Sequence, residues 1–240
     1  MYVIIGGSRG LGKEIIQVLL DKEYEVINIS RSNLETISKN LTNINKDLIS
    51  LDKHEVSQIF NQFDNLDGII FSQRFRKRES SIQTENYVDE YKSSVISTSN
   101  IIEAYREYQH SRVTQSIGSI ILVGSTYSSS IGFDQDWSYH ACKFAQEALV
   151  KYYSVHSQGK FSINLVCPAS YMKEGTEEYW TNSPKSEIWK KYPVKKLAGA
   201  KFIAMSIVDL LLNSTLFNTG NKIMLDGGVS NIYHDQDIIE

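Results

Sequence analysis

The opening run MYVIIGGSRGLGKEIIQVLL limits the folds open to this chain more than any other stretch. An apolar segment, Tyr2–Ile5, meets four glycines, Gly6, Gly7, Gly10 and Gly12. These lead into a segment whose Leu11, Ile15, Ile16, Val18, Leu19 and Leu20 make one broad apolar face. The order predicts a strand, a tight turn and a helix. Glycines let the backbone approach a ligand closely, and a helix N-terminus offers free N–H groups and a positive dipole end to phosphate. Two phosphate-binding turns can be read here. Gly7, Gly12 and Lys13 nearly fit the nucleoside-triphosphate loop G-x-x-x-x-G-K-[ST], but Glu14 stands where the Mg²⁺-binding hydroxyl belongs. Gly6, Gly10 and Gly12 fit a dinucleotide turn, G-x-x-x-G-x-G.

Further short apolar runs follow at Glu25–Ile29, Leu48–Leu51, Gly68–Phe71, Ser119–Val123, Ser162–Val166 and Lys222–Leu225. They are continuous rather than alternating, as parallel strands covered on both faces should be. Helical patterns lie near 11–22, 33–42, 53–64, 84–111, 137–157 and 199–213. Strands and helices in alternation predict an α/β fold, a Rossmann-like doubly wound sheet of about seven parallel strands with helices on both faces. The 240 residues could make one large α/β domain or two small ones. No linker, repeat or low-complexity tract divides them, so a single domain over 1–240 is expected. The segment 169–198, rich in Lys, Glu, Tyr and Trp, is expected to be a substrate lid.

Global features exclude several classes. A formal net charge of −3 gives no reason to expect nucleic-acid binding. Cys142 and Cys167 form no C-x-x-C pair, and such low cysteine usage fits a reducing cytosol. The histidines show no metal-ligand spacing, so no metal is expected. No segment is long and apolar enough to span a bilayer, and the N-terminus has no basic signal-peptide region. The expected location is cytoplasmic.

The second strand bears on the choice of dinucleotide. An acid at its end would bind the ribose 2′-OH of NAD, whereas an Arg there accommodates the 2′-phosphate of NADP. The sequence reads V-I-N-I-S-R-S over 26–32, so Ser30 and Arg31 hold that place, and Arg9 in the glycine turn can reach the same phosphate. Two guanidiniums favour NADP(H); the alternative is two solvated loop arginines.

Tyr139 and Lys143 form Y-x-x-x-K near the start of a predicted helix, on one helical face. A phenol has a pKa near ~10, and a neighbouring ammonium favours its ionised form. Such a tyrosine can exchange a proton with a carbonyl or alcohol oxygen near neutral pH. The strand ending at Ser125 and Thr126 brings hydroxyls that could polarise the same oxygen.

These ordered features together resemble the short-chain dehydrogenase/reductase family, in its compact single-domain branch, nearly end to end. Gly6, Gly10 and Gly12 match its glycine turn, Leu51-Asp52 its adenine-contacting Asp, and Ser125, Tyr139 and Lys143 its catalytic trio. Ile163–Pro168 resembles its V-N-x-V-x-P segment, and Asn218-Thr219-Gly220 with Leu225–Gly228 its C-terminal T-G-x and D-G-G segments. The resemblance implies Tyr139 as acid/base, Lys143 holding the nicotinamide ribose, and Ser125 orienting the substrate oxygen. It implies a cofactor site of Gly6, Ser8, Arg9, Gly10, Leu11, Gly12, Ser30, Arg31, Asp52, Ser72, Tyr139, Lys143 and Pro168. The Ser125–Tyr139 spacing is one residue longer than usual, so either the loop has an insertion or Thr126 takes the hydroxyl's place; the strand-end G-S pattern favours Ser125.

The chain departs from the family at four places. Ile5 replaces a Thr before the first glycine, and Ala169 the Gly after Pro168. Phe71-Ser72-Gln73-Arg74 stands where the family has N-N-A-G, and Ser94 where it often has a proton-relay Asn. The basic stretch 74–78 follows a strand end that should border the ligand crevice. Either Arg74 or Arg76 contacts an anionic group on the substrate, or the loop is solvated and answers Glu79 and the acids of 85–90. The expected activity is NADP(H)-dependent carbonyl reduction or alcohol oxidation on a small soluble substrate such as a sugar derivative or keto-acid. The competing reading is a dinucleotide-binding regulatory protein without turnover. The family resemblance implies a homodimer or homotetramer.

Overall fold

The computed structural model describes residues 1–75, 83–112, 117–132, 135–173, 175–176, 178, 180, 190 and 192–232. Of the expected lid, residues 174, 177, 179, 181–189 and 191 lie outside them, as does Arg76. Among the described residues, β1 (Tyr2–Ile5), β2 (Val26–Ser30), β3 (Leu41–Asn45), β4 (Gly68–Phe71), β5 (Gly118–Val123), β6 (Phe161–Pro168) and β9 (Lys222–Leu225) form one sheet. A separate pair, β7 (Tyr171–Met172) and β8 (Ala198–Gly199), lies beyond β6. The large sheet has the order β3-β2-β1-β4-β5-β6-β9, and every pairing is parallel.

Alternate side chains of each strand serve two cores. Val3 and Ile5 pack with α2 (Lys53–Phe60), α4 (Ser97–His110) and α5 (Trp137–His156). Tyr2 and Ile4 pack with α1 (Leu11–Asp21) and α6 (Ala200–Leu212) on the opposite face. Both faces are thus covered, which is why the central strands read as unbroken apolar runs. The expected long helix over 84–111 is α3 (Gln83–Tyr91) and α4 joined by a π turn, Lys92–Ile96.

Two expectations are corrected. The third strand is Leu41–Asn45, and Leu48–Ser50 forms a turn, with Asp47 Oδ1 accepting from Ile49 N at 3.1 Å. β3 is an edge strand of sequence LTNIN, too polar to stand out, while Leu48 and Leu51 are apolar because they plug the core below the sheet. The helix expected over 33–42 is absent. Asn43 holds that segment as a loop: its Oδ1 accepts from Leu34 N at 3.1 Å and its Nδ2 donates to Leu34 O at 3.3 Å.

Strand order reverses between β1 and β4, since the chain runs outward from β1 to β3 and then crosses to β4. The carboxyl ends of these strands open a crevice, where ligands bind in doubly wound sheets.

Candidate active site

The glycine turn is built by sterics. Gly6 has φ +82°, and a Cβ on it would sit 2.6 Å from the Gln73 backbone. Gly10, with φ 59° and ψ −138°, is the N-cap of α1, and a Cβ there would meet nothing within 4 Å. Its glycine answers the backbone conformation and leaves the start of α1 open. At Gly12 a Cβ would lie 2.4 Å from the Gly6 carbonyl oxygen, so the helix packs directly on the turn. Buried Asn28 on β2 supports the turn from below, its Oδ1 accepting from Gly7 N at 3.1 Å. Its Nδ2 donates to Asn43 Oδ1 at 2.8 Å, which ties the turn to the loop after β2.

A cleft of about 990 Å³ runs along the strand ends. Gly6, Ser8, Arg9 and Leu11 line it from the glycine turn, Ser30 and Arg31 from the end of β2, and Ser72 from the end of β4. Pro168 closes the β6 side. Arg9 and Arg31 are both exposed on this wall. Asp52 is not on it: it is the N-cap of α2, its side chain accepting from Glu55 N at 2.8 Å. The acid on the cleft wall is Asp47, in the turn after the true β3. The sequence reading placed β3 too late, and the aspartate it named lies off the cleft wall.

Ser125, Thr126, Tyr139 and Lys143 line the same cleft. Ser125 follows β5 as the N-cap of a short 3₁₀ turn, Thr126–Ser128, and its Oγ accepts from Tyr127 N at 3.2 Å. Tyr139 and Lys143 sit one turn apart on α5, with Lys143 Nζ 5.7 Å from the Tyr139 ring centroid. Lys143 is only 9% exposed. Its Nζ donates to the Val123 carbonyl at 3.0 Å and to Gln146 Oε1 at 3.0 Å. Burial lowers its pKa to about 8, and the positive charge of Arg74 pushes the same way. Arg74 lies beside the tyrosine, its guanidinium carbon 5.4 Å from the ring centroid, and donates to Gln135 Oε1 at 3.1 Å. The buried thiol of Cys142 is pushed up to about 12, chiefly by desolvation, which removes it as a nucleophile.

The V-N-x-V-x-P and T-G-x segments have a structural task. Asn164 Nδ2 donates to the Asn218 carbonyl at 2.8 Å, and its Oδ1 accepts from Asn221 N at 3.0 Å. Thr219 Oγ1 accepts from Ile163 N at 3.0 Å. Together they fasten β6 to the approach to β9. In the D-G-G segment, Asp226 accepts from Gly228 N and Ser230 N, both at 2.9 Å, and Ser230 borders the cleft.

A family model described as enoyl-(acyl carrier protein) reductase, of the short-chain alcohol dehydrogenase group, matches residues 6–230. This chain belongs to the short-chain dehydrogenase/reductase family. It is an oxidoreductase of that family. Carbonyl reductase family member 4 of Xenopus laevis is 25% identical to this family member over 237 residues, covering 94% of this chain and 96% of the relative. Two solved structures share its fold. ElxO with NADP bound is 22% identical with TM-score 0.78, over 96% of this chain and 99% of the other. A short chain dehydrogenase from Leptospira borgpetersenii with bound NAD⁺ is 19% identical with TM-score 0.77, over 95% and 92%. Among the described residues, no helix of this short-chain dehydrogenase/reductase is long and apolar enough to cross a membrane, and no His, Cys, Asp and Glu side chains group as a metal site.

Sequence reasoning about this dehydrogenase/reductase missed Asp47, Asn28 and Gln146. An N-I-S ending on β2 and an N-x-N on β3 were visible, but their pairing needs the β2–β3 register, which sets Asn28 opposite Asn43.

Proposed function

We propose that the chain is an NADP(H)-dependent carbonyl reductase, working in reverse as an alcohol dehydrogenase, on a small soluble substrate that carries an anionic group. The observation that carries this reading is a single cleft. It has the glycine turn with Arg9 and Arg31 at one end and Ser125, Tyr139 and Lys143 with Arg74 at the other.

The residues present fit a phosphorylated dinucleotide. Gly6 and Gly12 leave no side chain over the helix start, and Arg9 and Arg31 can each pair a 2′-phosphate through charge-assisted hydrogen bonds. Solved relatives of the fold hold either coenzyme, so the two arginines are what favour the phosphorylated one. NADP(H), when bound, supplies or accepts the hydride. Ser125 Oγ donates a hydrogen bond to the substrate carbonyl oxygen and orients it. Tyr139 gives that oxygen its proton, or removes it in the alcohol direction. Lys143 keeps a positive charge beside the phenol, which eases its ionisation. Asp47 takes the adenine-side position assigned on sequence to Asp52.

Arg74 is the specificity residue in this reading. It stands beside the proton donor, and among the described residues no carboxylate pairs with it. A carboxylate or phosphate next to the reacting carbonyl would therefore face a guanidinium, as in a keto-acid or a phosphorylated keto-sugar.

The altered segment Phe71–Arg74 favours one competing reading, a dinucleotide-binding regulator without turnover. NADPH oxidation measured across anionic and neutral ketones separates the two. Turnover with anionic ketones, at a KM that rises in Arg74→Ala while NADPH affinity holds, supports the proposal. Binding of NADPH with no turnover on any carbonyl supports the regulator.

We also propose a homo-oligomer in the cytoplasm. Ile96, Phe144, Tyr152 and Val155 leave apolar surface exposed at the π turn and on α5, the kind of face that second copies cover. Sedimentation of a monomer at micromolar concentration would oppose it.

A further inference from the structure

Gln146 lies one turn beyond Lys143 on α5 and is 2% exposed. A buried carboxamide needs partners at both ends, and this one has them on two different elements. Its Oε1 accepts from Lys143 Nζ at 3.0 Å, and its Nε2 donates to the Ser94 carbonyl at 3.2 Å. Ser94 belongs to the π turn Lys92–Ile96, and its carbonyl also accepts from Thr98 Oγ1 at 2.9 Å. Such turns recur at functional sites because they depart from the regular helical ladder.

An ammonium has three N–H donors and no acceptor. The Val123 carbonyl takes one donor of Lys143 and Gln146 takes a second. With two donors held, rotation about the Cε–Nζ bond is fixed and the third donor has a set direction. Lys143 itself lines the cleft beside Tyr139.

We propose that Gln146 is the positioning residue of Lys143: it ties the ammonium to the π turn, fixes its rotation and reserves one N–H for a ligand in the cleft. The proposal rests on the reading of Lys143 as the cation beside an acid–base tyrosine. Glutamine suits the task because it accepts from the ammonium without adding charge. The charged and titratable groups around Lys143 are Arg74, Glu90, Cys142 and Cys167, with Tyr139 beside it. None of them replaces the neutral acceptor that Gln146 supplies.

The test combines a titration of the Lys143 ε-methylene by ¹H–¹³C spectroscopy in coenzyme-free protein with the pH profile of NADPH-dependent turnover. Gln146→Leu removes the acceptor, which destabilises the ammonium. Its Lys143 midpoint should move to lower pH, and kcat should fall on the order of tenfold or more through misplacement. Gln146→Met, of similar length and with only a weakly accepting thioether, should do the same if the leucine variant folds poorly. Gln146→Glu restores an acceptor, so it should move the midpoint up and regain most of the lost turnover. A Lys143 midpoint unchanged in both the leucine and methionine variants would overturn the proposal, even with a lowered melting temperature. Should the wild-type protein reduce no carbonyl, the functional reading fails while the titration still decides this one.

Discussion

Gly12→Ala tests whether α1 rests directly on the glycine turn. A Cβ at residue 12 would lie 2.4 Å from the Gly6 carbonyl oxygen and 2.9 Å from Gly7 Cα. Contacts under 3.0 Å are essentially never seen for a real Cβ, so the turn and helix must part by at least 0.6 Å at the first contact (3.0 minus 2.4). Both obstacles are backbone, and neither can swing aside as a side-chain end would. Overpacking of this kind costs about 1–3 kcal/mol. Alanine returns up to ~1 kcal/mol through its better helix propensity, which taken in full leaves a net loss of roughly 0–2 kcal/mol. The same displacement moves the first amides of α1 away from a pyrophosphate, so coenzyme affinity should fall about tenfold or more. Urea denaturation measures the first effect and fluorescence titration with NADPH the second. A variant as stable as the wild type, binding NADPH equally well, would refute the claim that close backbone packing sets this residue. Gly10→Ala is the companion: nothing would touch its Cβ, so any loss there reports φ +59° alone.

Other outcomes follow from the same geometry. Arg9→Ala and Arg31→Ala should each weaken NADPH binding about tenfold, as loss of a charge-assisted contact does, and leave NADH binding unchanged; equal losses for both coenzymes would contradict the assignment. Because burial holds Lys143 near a pKa of about 8, kcat/KM should fall as pH rises through that value and the ammonium loses its proton. Arg74→Ala removes a positive charge that helps lower this pKa, so the alkaline limb should move to higher pH; a shift the other way would sink the electrostatic account. Asn28→Val strips the Gly7 N–H and the Asn43 side chain of a buried partner. It should cost about 1–3 kcal/mol by urea denaturation, and a cost near zero would show that the turn needs no support from β2.

Legibility in the sequence followed the physics of burial. Strands covered on both faces, such as Tyr2–Ile5 and Gly68–Phe71, stood out because every residue is apolar. The edge strand Leu41–Asn45 did not: among the described residues no strand pairs with its outer edge, and it tolerates Thr and Asn. Missing it moved the third strand to Leu48–Leu51 and the expected acid to Asp52, which lies off the cleft wall. The glycine turn, Ser125, Tyr139 and Lys143 were readable because their spacing carries their chemistry, and they line one cleft. Gln146 was not readable: a glutamine on a helix looks like surface until the fold buries it between Lys143 and Ser94. Arg74 was named as a candidate contact to an anionic substrate group, but its place beside the tyrosine ring needed coordinates.

The central claim is that Tyr139 moves the proton in a carbonyl reduction. Its most direct test is Tyr139→Phe, which removes one oxygen and leaves the ring beside Arg74 and Lys143. NADPH oxidation on a carbonyl that the wild type reduces should fall by about 10²-fold or more, while the NADPH Kd stays within about twofold. A phenylalanine variant that turns over at the wild-type rate would contradict the account.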